Sequence, residues 1–415
     1  MTEDSLHIRP KSLRVLAPAG GFPSPLATFN AWRSLRQLAC EKGTPNGTRE
    51  LFREVLNRRF HVKHVEFYGS GSEALYRVFS SIQSSDTRTV GMAAYTCPSV
   101  ASAAVRAGFQ ILPIDIDENT LAMDPLGVDP KKLCAVICSN LYGLVDDINC
   151  WRDSRGSKNL VLIDDACQAG LSADKSARVG TREGSIGVFS FGRGKAFSGI
   201  GGGAVLSNEQ LPLPSREDWA GAKPEIFTCL KHVGVAGVIS ALEKPLVFGL
   251  PARMSFLRLG ETHCDIDFPI EPLSDVQLSV AYAQVEREAE TKQIVSERVS
   301  QWQEILHDCD LVQPVIERRQ EGSVTIVPIR YPVLFRNKQQ RDRVWKKLAE
   351  AGLGASISYP KPLQEYSELG SYIERCETPR ARKVAETILT LPVHRYVQRN
   401  HIEQAATIIK QGCNS

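Results

Sequence analysis

Three short segments carry side chains whose types and spacing could do chemistry. In NLVLIDDACQA, residues 159–169, an apolar run ends in consecutive carboxylates, Asp164 and Asp165, with Gln168 three residues after the second. Open α/β sheets place their ligands at the C-terminal ends of strands. An aspartate there can pair with a protonated ring nitrogen, and a glutamine one short turn on can donate to a neighbouring ring oxygen. In VFSFGRGKAFSGIGGGAVLSN, residues 188–208, a strand-like VFSF delivers Lys195 into a glycine-rich turn ahead of a second strand. A lysine fixed in such a turn can form an imine with an aldehyde, and the glycines let backbone crowd a bulky planar group. In FYGSGSEALYRVF, residues 67–79, a Gly/Ser turn opens onto a helix expected to begin near Glu73. Ser70, Gly71 and Ser72 could then cradle a phosphate monoester at a helix N-terminus. This turn has neither the Lys-Ser/Thr pair of a Walker loop nor GxGxxG spacing.

Each segment alone has a plainer reading: an aspartate capping the next helix, an exposed lysine on a β-hairpin, a capped helix. Together they ask for one ligand bearing a phosphate, an aldehyde, a ring nitrogen and a ring hydroxyl, which is pyridoxal 5′-phosphate.

The elements that must position these residues are legible as an alternation. Apolar strand-like runs at Thr89–Met92, Gln110–Ile116, Ala135–Ser139 and Leu160–Ile163 are interleaved with helical spacing at Ser99–Ala107. That pattern belongs to a mostly parallel sheet covered by helices on both faces. Ahead of it, Leu51, Phe52, Val55, Leu56 and Phe60 fall at helical spacing, with Thr48 or Asn46 as the expected N-cap. Beyond Leu273 the pattern changes. One long helix is expected over Ser274–Leu306, a strand at Val324–Arg330, a charged helix around Gln339–Ala351 and a closing helix near His401–Ile409. Three regions follow: a leader, 1–40, punctuated by Gly and Pro and expected to wrap a neighbouring surface; a large α/β domain, 41–272; and a smaller α+β domain, 273–415, joined by the long helix. Within the large domain, an apolar stretch at about 222–262 is interrupted by Pro245 and Pro251 and dotted with Lys231, Lys244, Arg253 and Arg258. Over 226–259 it reads either as a helical insertion packed on a partner subunit or as a patch meeting a membrane surface.

Composition narrows the function classes. The 415 residues suit two or three domains, and 42% hydrophobic with 23% charged residues is ordinary for a globular chain. Fifty basic against 47 acidic residues leave +3, so no nucleic-acid partner is expected. Eleven scattered cysteines without CxxC pairs point to neither a disulfide framework nor a zinc site, and a reducing cytoplasm is the expected home. Neither a secretory signal nor a run of about 18 apolar residues is evident.

The motifs also carry a resemblance. GSGSEAL is similar to the SGTxAL turn, IDDACQA to the EDAAQA strand end, and FSFGRGK followed by GGG to the FSFHxxK and GEGG lysine loop of the DegT/DnrJ/StrS aminotransferases. AAYTCPSV, GFQILPIDID, SNLYG, SYPKPL and ILTLPVHR follow in the family's order, from about Gly47 to His394. The resemblance implies a fold type I pyridoxal-phosphate enzyme, mostly one that aminates nucleotide-linked ketosugars, built as a homodimer with active sites at the subunit interface. It implies Lys195 as the lysine that condenses with the aldehyde and moves the proton, and Asp165 as the partner of the pyridinium. Gln168 would face the ring hydroxyl, and Ser190 with Gly71 and Ser72 would bind phosphate. L-glutamate, with L-glutamine second, is the implied donor, and Arg193 and Tyr359 are implied at the substrate. A lysine rather than a histidine at position 195 argues against the family's dehydratase branch.

Several positions depart from the family pattern. Gly192 stands where a histidine is common, and Asn140 replaces the histidine of HLYG. Cys97 replaces the aromatic residue over the ring, so that stacking would fall to Tyr95 or yield to a thiol contact. The NxRM stretch that reaches the partner's phosphate is missing before Leu273, which leaves Thr262 or His263 as candidates for that contact. This inserted version, with LGET and DFPI, is similar to members associated with exopolysaccharide or surface-glycan synthesis, which would suit an enzyme at the inner face of a membrane. Amination of a cyclitol or aminobenzoate precursor, or a regulatory role without catalysis, are the competing readings.

Overall fold

Short strands apolar on both faces build the larger sheet. The computed structural model describes residues 8–20, 26, 28–30, 32–33, 47–83, 87–153, 160–173, 177–212, 226–254, 263–307, 309, 311–316 and 324–413. Seven strands, β1 (His64–Tyr68), β2 (Thr89–Ala93), β3 (Gln110–Ile114), β4 (Ala135–Ser139), β5 (Val161–Asp165), β6 (Ser185–Ser190) and β7 (Gly203–Ser207), lie in the order β1-β7-β6-β5-β4-β2-β3. Neighbours pair in parallel from β3 to β6, and β7 runs antiparallel to both β6 and β1.

Side chains alternate between two cores, as the strand period requires. Val136, Cys138, Leu162 and Phe189 enter one, while Ala135, Ile137, Ile163 and Val188 enter the other. The first is closed by α1 (Gly47–Phe60), through Phe52, Leu56 and Phe60, and the second by α2 (Gly71–Ser81) and α3 (Pro98–Arg106). Both layers come from the alternation in the sequence. Thr48 lies inside α1 rather than capping it, and Asn46 lies outside the described residues.

The insertion contributes α4 (Ile226–Leu242), whose Ala236 packs on Val280 and whose His232 Nδ1 lies 2.7 Å from Ser274 Oγ. Ser274 caps α5 (Asp275–Glu286) in a capping box with Gln277. The single long helix expected over 274–306 is two: α5 ends at Arg287, and α6 (Glu288–Leu306) starts anew. The break places Glu288, buried and in the first turn of α6, against Arg59 Nε at 3.0 Å and Lys292 Nζ at 2.6 Å, with Arg178 also bonded to it.

The smaller domain is an antiparallel sheet in the order β10-β9-β8, from β8 (Val312–Pro314), β9 (Arg330–Phe335) and β10 (Ile388–Pro392). It is covered by α7 (Lys338–Glu350), α8 (Pro379–Thr387) and α9 (Arg399–Cys413). The strand expected at 324–330 begins only at Arg330. Residues 324–327 are drawn instead to the large domain, where Thr325 exchanges backbone hydrogen bonds with Ala173 and Val327 N donates to Ser172 Oγ. Of the leader, residues 11–17 bridge insertion and small domain: Leu16 N donates to the Gly352 carbonyl and Val15 N to the Pro245 carbonyl. Residues 1–7 and 21–25, and the remainder of the leader beyond the few positions named above, lie outside the described residues.

Candidate active site

Strand ends on one edge of the large sheet bring the three segments together. β1 ends at Tyr68, and Ser70 caps α2, its Oγ accepting from Glu73 N at 3.0 Å. The helix thus begins at Gly71, two residues before the expected start, and Ser70 spends its acceptor on the cap. A methyl on Gly71 would sit 2.6 Å from Ser190 Cβ and 2.8 Å from its Oγ. Ser190 Oγ accepts from Gly192 N at 3.2 Å, and a Cβ on Gly192 would sit 3.9 Å from Lys195 Cγ. Gly71, Ser190 and Lys195 are therefore one continuous wall, with half-buried Ser72 in the first turn of α2. Gly202, at φ +99°, pairs with Ser70 in a parallel bridge and closes the turn behind them.

The two carboxylates at the end of β5 point to opposite faces and do different work. Asp164 is fully buried and gripped by Arg182, whose Nε donates to Oδ2 at 2.8 Å and Nη2 to Oδ1 at 2.5 Å. Asp165 and Lys195 each feel the other's charge. Asp165 Oδ1 accepts from Cys167 N at 3.0 Å, and among the described residues Asp165 makes no salt bridge. Burial pushes its carboxyl above the ordinary value, with the Cys167 hydrogen bonds and the Lys195 charge pulling the other way. For Lys195 desolvation works against the charge, but Cys97, Cys167 and Asp165 raise its pKa on balance.

Lys195, Arg193, Cys97, Gln168 and Tyr359 line one cleft of about 400 Å³ between the sheet edge and the small domain. Gln168 is held at both ends: its Oε1 accepts from Tyr142 N at 2.8 Å and its Nε2 donates to Tyr359 Oη at 2.7 Å. Tyr142 stands at φ +58° to make the first contact. Tyr95 does not stack over the cleft. It is fully buried, its Oη 2.9 Å from that of Tyr142 and its ring edge-on to Tyr359, and Cys97, the cap of α3, is the residue that reaches the cleft. His263 lies on the rim of this same cleft, and Thr262 is outside the described residues.

Sequence reasoning missed Arg330, Ser358 and Glu243, which line the cleft. Arg330 opens β9, and desolvation lowers its pKa against the raising influence of Tyr142, Tyr359 and Tyr95. Its only signal was an arginine entering the apolar run IVPIRYPVLF.

The residues fit pyridoxal 5′-phosphate on the structure's own terms. A buried carboxylate without an ion pair calls for a cation such as a protonated ring nitrogen. A helix N-terminus, opened by a glycine that tolerates no side chain and flanked by two serines, suits a phosphate. Lys195 stands between them. Fold and site together define a protein of the pyridoxal-phosphate-dependent fold type I class.

The chain belongs to the DegT/DnrJ/EryC1/StrS aminotransferase family, whose model matches residues 36–213 and 271–410. The break between those spans contains the insertion. The L-glutamine:2-deoxy-scyllo-inosose aminotransferase of Micromonospora echinospora is 31% identical over 115 residues, 26% of this chain and 27% of that protein. The GDP-perosamine synthase of Vibrio cholerae is 28% identical over 153 residues, 36% of this chain and 41% of that protein. The chain thus matches less than half the length of either curated relative. Helicobacter pylori PseC, an aminotransferase involved in the biosynthesis of pseudoaminic acid, shares the fold with a TM-score of 0.71 at 16% identity, over 97% of this chain and 99% of that one.

Proposed function

We propose that this protein moves an amino group from L-glutamate to a keto group of a nucleotide-linked sugar, for surface-glycan synthesis, as a cytoplasmic homodimer. The observation that carries the reading is Lys195 in a cleft that also presents Arg193 and Arg330, with the buried carboxylate of Asp165 near enough for each charge to act on the other. The cofactor supplies an electron sink for negative charge developing at the donor carbon. Asp165 holds the ring nitrogen protonated, Gly71, Ser72 and Ser190 bind the phosphate, and Cys97 and Gln168 border the ring. Lys195 Nζ takes the proton from the donor Cα. Arg330, half-buried at the start of β9, anchors the donor carboxylate, while exposed Arg193 meets the acceptor's phosphates. Donor and acceptor use the cleft in turn, so ping-pong kinetics follow.

The names of the relatives support a polyol-like ketone as acceptor: one acts on a cyclitol and another makes a GDP-linked amino sugar. The test is an absorbance spectrum of the cofactor-loaded protein before and after excess L-glutamate, followed by a panel of nucleotide-linked ketosugars and cyclitol ketones. A lysine-bound cofactor band that shifts with glutamate and returns with a nucleotide-linked ketosugar supports the proposal. Return with a cyclitol alone replaces the acceptor, shift with glutamine alone replaces the donor, and a band that no amino donor moves favours a regulatory protein. Lys195→Ala should lose turnover altogether.

A further inference from the structure

The insertion presents apolar side chains to solvent beside a cleft rich in cations. Leu246 is 65% exposed, Leu250 66% and Leu13 69%. Their segments are physically joined. A Cβ on Gly249 would lie 2.1 Å from the Leu13 carbonyl oxygen, Val15 N donates to the Pro245 carbonyl at 2.9 Å, and Arg253 Nη2 donates to the Ser12 carbonyl at 2.9 Å. Residues 11–16 and 245–253 therefore form one tip.

Behind the tip opens a cleft of about 950 Å³, lined among the described residues by Lys11, Arg14, Lys244, Lys347 and Arg395 against one carboxylate, Glu350. Lys11 pairs with Glu350 at 2.7 Å and Arg395 reaches Glu243 at 3.5 Å. Arg14, Lys244 and Lys347 make no ion pair among the described residues. Leu246 lines the cleft too, so the apolar tip and the uncompensated charge share an edge.

That pairing fits an interface where hydrocarbon lies directly beneath anionic phosphates. A second copy of the chain fits less well, because cations without ion pairs call for an anionic occupant and this chain carries a net charge of +3. No single helix among the described residues is long and apolar enough to cross a membrane. Leu230–Leu242 and Pro245–Arg253 pass that test only as a pair bent by 99°, which suits a segment lying on a surface.

We propose that the tip at Leu13, Leu246 and Leu250 seats in an anionic bilayer and that the cleft behind it takes the phosphates of the lipid headgroups. Phe248 of the tip and the residues adjoining it in the chain, Ala17, Pro18, Leu242 and Glu243, wall the active cleft. Docking therefore brings the mouth of the active site beside the lipid surface. This inference stands apart from the identity of the acceptor.

The test is sedimentation of the cofactor-loaded protein with vesicles of phosphatidylcholine containing one quarter phosphatidylglycerol, against phosphatidylcholine alone. Binding is expected only to the anionic vesicles and should weaken as salt rises. Lys244→Ala and Arg14→Ala should each lower the partition coefficient about fivefold. Leu246→Asp with Leu250→Asp should abolish binding while the glutamate-driven spectral change, which reports an intact fold and site, stays at the wild-type rate. Wild-type protein that stays in the supernatant with anionic vesicles overturns the proposal. So does a leucine double variant that changes the oligomeric mass by light scattering, which would assign the tip to a contact between copies.

Discussion

Arg182 and Asp164 form a buried two-pronged ion pair on the residue next to Asp165 at the end of β5. Asn140 completes it: Nδ2 donates to Asp164 Oδ1 and to the Asp165 carbonyl, both at 2.9 Å, while Oδ1 accepts from Asp146 N at 2.9 Å. The departure from the family's histidine at position 140 thus clamps the strand end that carries Asp165. Arg182→Ala strands a carboxylate that is fully buried, and breaking such a pair costs about 3 kcal/mol or more. Urea unfolding should show that loss. Asn140→Ala should cost less, about 1–2 kcal/mol, and loosen the cofactor measurably by fluorescence titration.

Burial raises the pKa of the Asp165 carboxyl by more than the Cys167 hydrogen bonds and the Lys195 charge lower it, so its ionisation works against folding. The folded apoprotein binds this proton more tightly than the unfolded chain does. Stability of the apoprotein therefore falls as pH rises from the ordinary value of 3.8 through the folded pKa. Asp165→Asn should raise the Tm of the apoprotein at pH 7 while weakening cofactor binding by about 30-fold. An apoprotein variant less stable than the parent at neutral pH would contradict the assignment of Asp165 as a charge whose burial outweighs the attraction of Lys195.

Gly71 has no room for a side chain, since a methyl would meet Ser190 Cβ at 2.6 Å. Gly71→Ala must push Ser190 from the wall proposed to bind phosphate. About 1–3 kcal/mol of strain is expected, with the larger effect on cofactor affinity, read as a rise in the cofactor Kd against wild type. Ser72→Ala, which removes a hydroxyl without crowding, separates the two contributions.

The strands and the three chemical segments were readable because each is local. A strand shows its alternation within five residues, and IDDACQ, FGRGK and GSGS each place their key side chain by the turn they themselves encode. That Asp164 and Asp165 face opposite ways was also open to reading from the strand period, while the choice between them came from the resemblance. What the sequence hid arises across long separations. The hold on Gln168 by Tyr359 spans 191 positions, and the pull of Ala173 on Thr325 that delays β9 has no trace in the local pattern. The break at Arg287 was concealed because the helical spacing continues through it, and only Arg59 and Arg178, brought in from the large domain, give Glu288 a reason to turn inward.

Arg330 is a prediction in its own right. A guanidinium desolvated at the cleft and surrounded by Tyr142, Tyr359 and Tyr95 gains most from an anionic ligand. Arg330→Met keeps the volume and removes the charge. KM for L-glutamate should rise about 30- to 100-fold with kcat changed far less, because the donor carboxylate is bound alike before and during reaction. Equal losses in kcat and kcat/KM would move Arg330 from binding to the reacting atoms.

His394 ties the N-terminal segment to the small domain, its Nε2 2.9 Å from the Ala17 carbonyl and its Nδ1 3.3 Å from Tyr396 N. Both contacts are satisfied by one neutral tautomer, with Nε2 donating and Nδ1 accepting. Burial pulls its pKa down from 6.5 to about 4. A histidine depressed in the fold contributes stability that is whole above 6.5 and lost as pH falls through about 4. The contribution is about 3 kcal/mol, and acid should release the segment that walls the active cleft. His394→Gln keeps a donor for Ala17 without the titration, so its unfolding free energy should change less with pH between 6.5 and 4 than that of the parent. Hydrogen exchange of the Leu16 amide, bonded to the Gly352 carbonyl, should accelerate over the same range in the parent and hold steady in the variant once corrected for intrinsic rates.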